Sequence, residues 1–141
     1  MGIGFVSNRN FGNQIMRDVA RIVAPNSVHI VFDIGANRGD TTAEFANVFK
    51  DANLYSFEPD PTLFQELERR FATLHRVKLF PVGLGRSDEW RELTINKGPE
   101  GNSYLPVSPS IQDLTNGDWT IPIGKVRSRI RTLDAVCDEL R

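Results

Sequence analysis

The segment Val28 to Ile34 reads Val-His-Ile-Val-Phe-Asp-Ile and runs directly into Gly35-Ala36-Asn37-Arg38-Gly39-Asp40. No other feature restricts the fold as strongly. A run that is nearly all apolar and rich in β-branched residues suits a strand covered on both faces, which is a position inside a parallel sheet. The glycine-flanked turn then leads into a helix. Thr41 with Glu44 three residues later makes a capping-box pattern, so the helix is expected to begin near Thr41, with Phe45, Val48 and Phe49 as its buried stripe.

The same alternation continues downstream. Leu54 to Phe57 reads as a second strand, ended by Glu58-Pro59. Asp60 suits an N-cap and Pro61 a first helical position. Leu63, Phe64, Leu67, Phe71 and Leu74 recur at spacings of 3 and 4 and form the clearest amphipathic helix in the chain. Val77 to Val82 reads as a third strand, left through Gly83-Leu84-Gly85. Strand, helix, strand, helix, strand points to an open α/β sheet with right-handed crossovers.

Outside this core the pattern changes. Ile15, Val19, Ile22 and Val23 have helical spacing and end at Pro25-Asn26. Trp90 to Ile95 reads as an antiparallel strand, Lys97 to Asp118 as a long loop rich in Gly, Pro, Ser and Asn. Val126, Ser128 and Ile130 alternate with Arg127, Arg129 and Arg131, as in a strand with one wet face. Thr132 can cap a last helix over Leu133 to Leu140. The chain is therefore read as a single unit over 1–141. Within it, 1–27 is a lead-in and helix, 28–85 a βαβαβ core, and 86–141 a hairpin and loop region with the start of a final helix.

Charge and composition narrow the functional classes. A net charge of −1 on 141 residues gives no general attraction to nucleic acid. No apolar run is long enough to span a bilayer, and the N-terminus lacks the pattern of a signal peptide, so no membrane insertion and a cytoplasmic location are expected. Met1-Gly2 fails the myristoylation pattern because Val6 stands where Ser or Thr is needed. Cys137 is the single cysteine, so no internal disulfide can form. His29 and His75 lack paired metal-ligand spacing, so no metal is expected. His29, inside the apolar run, reads as a buried structural residue, and His75, at a helix end, also reads as structural. Trp90 and Trp119 read as packed on the sheet or shielding the loop.

The chemistry is concentrated in the first turn. In open α/β sheets the ligand crevice lies at the carboxyl ends of the strands, where this turn sits. Glu58 ends the next strand, nineteen residues after Gly39, and an acidic side chain there suits both hydroxyls of a ribose. A dinucleotide fingerprint would need glycines at 35, 37 and 40, and only Gly35 complies. A pyrophosphate would also sit poorly beside Asp33 and Asp40. S-adenosylmethionine (SAM) has no phosphate and carries a sulfonium and an ammonium group, which carboxylates favour. No P-loop pattern occurs.

The blocks VFDIGANRGDTTAEFA, YSFEPDP, LFPVGLGRSDE and IRTLDAV resemble successive blocks of FkbM-type SAM-dependent methyltransferases, over roughly Val31 to Val136. The resemblance implies a Rossmann-like class I methyltransferase fold, with an open, mostly parallel sheet and helices on both faces. It implies that Asp33, Gly35, Ala36, Asn37, Gly39 and Thr42 surround the methionine end of SAM. Glu58 with Pro59 would serve the ribose, and Val82, Gly83 and Leu84 the adenine. It further implies O-methylation of a small-molecule hydroxyl on a sugar, lipid or natural product. Family members continue past the T-L-D helix into a strand resembling L-K-I-D-x-E-G, and nothing here matches it. The expectation is an incomplete C-terminal side, a bare apolar edge on the first strand, self-association or a partner strand at that edge, and no assignable general base. The rival readings are a non-catalytic remnant or binding module, and, further off, a nicotinamide-binding domain.

Overall fold

The computed structural model describes Val19, residues 22–106 and residues 118–140. The expected helix around Ile15 to Val23 lies largely outside these residues. A 3-10 turn at Pro25–Ser27 precedes the first strand. Strand β1 is Ile30–Ile34, helix α1 Asp40–Val48, strand β2 Asn53–Phe57 and helix α2 Pro61–Phe71. Strand β3 spans Val77–Phe80 and β4 Val82–Leu84. They are followed by β5 Glu89–Asn96, β6 Pro122–Arg131 and helix α3 Leu133–Glu139. Strands β1, β2 and β3 form a parallel sheet in that order, with Phe32 beside Tyr55 and Ile34 beside Phe57. A second sheet has the order β4-β6-β5, with β4 parallel and β5 antiparallel to β6.

Both faces of the first sheet carry helices, as the apolar strands require. One core joins Val31, Leu54 and Val77 to Ala46 of α1 and to Leu67 and Phe71 of α2. Leu63, Leu67 and Phe71 recur along one face of α2, and burying each contributes on the order of 2 kcal/mol. The other core stacks Phe57 on Phe80, with ring centroids 4.9 Å apart, beneath Val136 of α3. Helix α2 is capped as read from the sequence, Asp60 accepting a hydrogen bond from Thr62 N. Thr132 caps α3 in the same way through Ala135 N.

Four expectations are corrected. The third strand does not run unbroken to Val82. Pro81 has no amide hydrogen for the ladder, and the chain passes there from the first sheet to the second. Helix α1 starts one residue before the expected cap, with Gly39 at the N-cap in the left-handed region at φ 83°, so Thr41 and Glu44 form no capping box. His29 is exposed rather than buried, because β1 begins only at Ile30. Trp90 and Trp119 are both more than half exposed. Trp90 instead has the Arg127 guanidinium over its ring, 5.4 Å from the centroid, whereas Trp119 does lie against Gly98 and Gly101 of the loop, as one of the two readings had it.

The arginine face of β6 is mostly wet, as expected. Arg131 alone is drawn in, bonded to both carboxylate oxygens of Glu139 at 2.7 and 2.9 Å and to Asp88. Strand β1 is at an edge of its sheet, with Ile30 56% and Ile34 61% exposed. No helix among the described residues is long and apolar enough to cross a membrane.

Gly39 and Gly35 both have positive φ, yet their surroundings differ. A Cβ at Gly39 would lie 2.6 Å from Leu67 and from Phe71, whereas one at Gly35 would meet nothing within 4 Å. Gly35→Ala should therefore cost about 1–2 kcal/mol from backbone strain alone. Gly39→Ala should cost at least about 1 kcal/mol more, because helix α2 must also move. Urea unfolding of the two variants checks this; equal midpoints would contradict the packing role of Gly39.

Candidate functional site

Three positive φ angles in five residues, at Gly35, Asn37 and Gly39, reverse the chain after β1. Gly35 N and Ala36 N both donate to Phe57 O, at 3.0 and 2.9 Å, which fastens this loop to the end of β2. The next residue, Glu58, is 5% exposed. Its Oε2 accepts from Asn37 N at 2.7 Å and its Oε1 from Asp60 N at 2.9 Å. The carboxylate thus bridges the loops that follow β1 and β2. Each oxygen spends one lone pair on an amide and keeps another, so the group can still accept from two hydroxyls. Burial pushes the Glu58 carboxyl above its usual value, and the two amide bonds oppose that rise.

Glu58 stands in the wall of a cavity of about 240 Å³ at the carboxyl ends of β1 and β2. The wall includes Gly35, Asn37, Glu58, Pro59, Val82, Gly83 and Leu84, all singled out from the sequence. It also includes Ile34, Phe57, Leu93, Pro99, Glu100, Asn102 and Tyr104, which were not. Among the described residues its ionisable acids are Glu58 and Glu100, and no Lys, Arg or His lines it. These acceptors suit a cationic, hydroxyl-bearing ligand better than a pyrophosphate.

Asp33, Ala36, Gly39 and Thr42 are not in that wall. Asp33 is 7% exposed and accepts a 2.6 Å hydrogen bond from the Thr42 hydroxyl, which also bonds Ser56 Oγ at 3.0 Å. Both hydroxyl-bearing residues are fully buried, so this is an internal polar network behind the loop. Burial pushes the Asp33 carboxyl up as well. Gly39 packs against α2, and Asp40 pairs with Arg70 at the surface.

Four of the residues not anticipated, Pro99, Glu100, Asn102 and Tyr104, come from the loop after β5. A 3-10 turn at Pro99–Gly101 and a bridge between Thr94 and Ser103 fold this loop back on its strand. Asn102 then spans two elements. Its Nδ2 donates to Asp60 Oδ2 at 2.9 Å and its Oδ1 accepts from Asn96 N at 2.8 Å. Neither tie has a period or a motif in the sequence. The alternation of β5, with Leu93 buried, was the available signal for one wall of the cavity.

No family model matches the chain. It is 26% identical over 114 residues to the 2-O-methyltransferase NoeI of Sinorhizobium fredii (strain NBRC 101917 / NGR234), a match covering 78% of this chain and 47% of that protein. The chain resembles FkbM-type methyltransferases. It spans about half the length of that curated relative. The crystal structure of methyltransferase FkbM from Methylobacillus flagellatus KT aligns with a TM-score of 0.46 at 17% identity, over 77% of this chain and 23% of that one.

The two raised carboxyl groups have a consequence for stability. A carboxyl whose folded pKa exceeds its unfolded value binds more protons when folded. Its contribution is full below the ordinary values of 3.8 for Asp33 and 4.5 for Glu58 and is lost as pH rises through the folded values. The share of stability these two groups contribute should therefore fall as pH is raised from about 4 through their titration. Asp33→Asn and Glu58→Gln should each flatten that slope, measured by urea unfolding across the range. An unchanged slope in both variants would contradict the assignment.

Proposed function

We propose that this chain is the cofactor-binding part of a SAM-dependent methyltransferase acting on a hydroxyl of a sugar, lipid or natural product. The observation that carries the reading is Glu58. Its carboxylate is fixed by Asn37 N and Asp60 N, keeps two acceptor sites, and lies in a cavity that no basic side chain among the described residues lines. Those features suit a ribose diol attached to a cationic sulfonium. The resemblance in sequence to a 2-O-methyltransferase supports oxygen as the methyl acceptor.

In this reading Glu58 accepts from the ribose hydroxyls and the loop Gly35 to Asn37 faces the methionine end. Val82, Gly83 and Leu84 flank the adenine, and Asp33 with Thr42 stiffens the loop from behind. SAM supplies an activated methyl group for in-line transfer to an oxygen nucleophile. The chain's own contribution is to orient the cofactor and to keep its charged centre in an apolar-walled site. The same residues serve equally in a binding module without chemistry, and a methyl-transfer assay separates the two. A nicotinamide dinucleotide is disfavoured because, among the described residues, no basic side chain lines the cavity for its pyrophosphate.

Titration calorimetry with S-adenosylhomocysteine, with NAD as control, tests the reading. Binding at micromolar affinity is expected, with no heat from NAD. Glu58→Ala should lose at least tenfold, about 1.4 kcal/mol. A folded chain that gives no heat with S-adenosylhomocysteine overturns it.

Among the described residues no strand pairs with the outer edge of β1, and we infer self-association there, through Ile30 and Ile34. Sedimentation velocity should show concentration-dependent dimers that Ile34→Lys abolishes. A wild-type chain that remains monomeric at high concentration contradicts this.

A further inference from the structure

Tyr104 lies on a segment far from the glycine turn, yet it reaches the same cavity as Glu58 and Gly83. Its position is over-determined. Its Oη shares a 2.7 Å hydrogen bond with Ser128 Oγ, and Ser128 is itself buried in β6. Below it, the ring occupies space that only a glycine at 83 can leave, since a Cβ there would lie 2.7 Å from Oη and 2.9 Å from Cε2. Behind it in sequence, the Asn102 clamp to Asp60 fixes the loop against the residues that follow Glu58. Burial raises the phenol's pKa and the charge of Glu58 adds to it, against the Ser128 hydrogen bond and the Arg91 charge, so Tyr104 stays a neutral hydroxyl.

Apolar walls elsewhere in the cavity are mainly aliphatic, from Ile34, Val82, Leu84 and Leu93, and Phe57 is fully buried beneath its surface. Tyr104 is half-buried and so offers an aromatic surface that a ligand can touch. An aromatic ring held rigidly at low entropic cost is a stacking platform for a heterocyclic base.

We propose that Tyr104 is the specificity-determining wall of the nucleoside end of this pocket, the ring against which the purine of the cofactor packs. The proposal rests on the SAM reading given above and extends it to a residue outside the blocks that resemble the methyltransferases. Gly83 and Ser128 are the positioning residues of that wall.

The test is calorimetry of the 141-residue chain with S-adenosylhomocysteine, together with the change in ligand absorbance near 260 nm on binding. Wild type and Tyr104→Phe should bind within about threefold of each other and both should show hypochromism from stacking. Tyr104→Ala should bind at least tenfold more weakly, in line with the usual loss on removing a stacked aromatic. Tyr104→Leu keeps apolar bulk without a ring; it should retain the circular dichroism of the wild type but lose the hypochromism and at least fivefold in affinity. A wild-type chain that does not bind S-adenosylhomocysteine overturns both this proposal and the reading on which it rests. Binding by the wild type, with Tyr104→Leu matching it in affinity and spectrum, overturns the role of Tyr104 alone.

Discussion

Everything near the cavity depends on the Glu58 carboxylate accepting from Asn37 N and Asp60 N at once. Backbone bonds from Gly35 N and Ala36 N to Phe57 O fasten the start of the first loop to the end of β2. Beyond them a single buried acid supplies the tie, and it draws on amides that would otherwise need partners of their own. The tie explains the geometry on both sides. Asn37 adopts φ 51° with its amide turned to the acid, and Asp60 presents its own carboxylate to Thr62 N, starting helix α2. The first turn, the second turn and the cap of a helix are therefore set by one side chain.

The parallel core was legible because its strands and helices are local patterns with strong periods. Val31, Leu54 to Phe57 and the Leu63, Leu67 and Phe71 stripe of α2 bury what their composition demands. The caps at Asp60 and Thr132 were legible for the same reason, since a polar residue before a periodic run has one obvious use. The start of α1 was not. Gly39 replaces the Thr41 capping pattern because Leu67 and Phe71, far along the chain, fill the space a side chain at 39 would need. A steric constraint between distant segments leaves no local trace.

The site divides in the same way. Of the residues contributed by strand ends, Glu58 could be placed from topology, and Val82 to Leu84 from the family resemblance. Asp33 and Thr42 were grouped with them because they border the turn, yet their side chains point into a buried network with Ser56. Neighbours along a turn alternate between front and back, which spacing does not reveal. Asn102 and Tyr104 could not be picked out individually, because a loop without periodicity carried them and only their side-chain bonds to Asp60 and Ser128 bring them in.

The break at Pro81 sends the chain from one sheet into another within a few residues. The cavity consequently draws on segments around 34–37, 57–59, 82–84 and 93–104, so it exists only after the hairpin has docked on the core. A ligand bound there reads out the assembly of both sheets, because neither sheet alone encloses it. Through mass action, occupancy would draw free energy into the junction between the sheets, and the two sheets would then melt as a single cooperative unit.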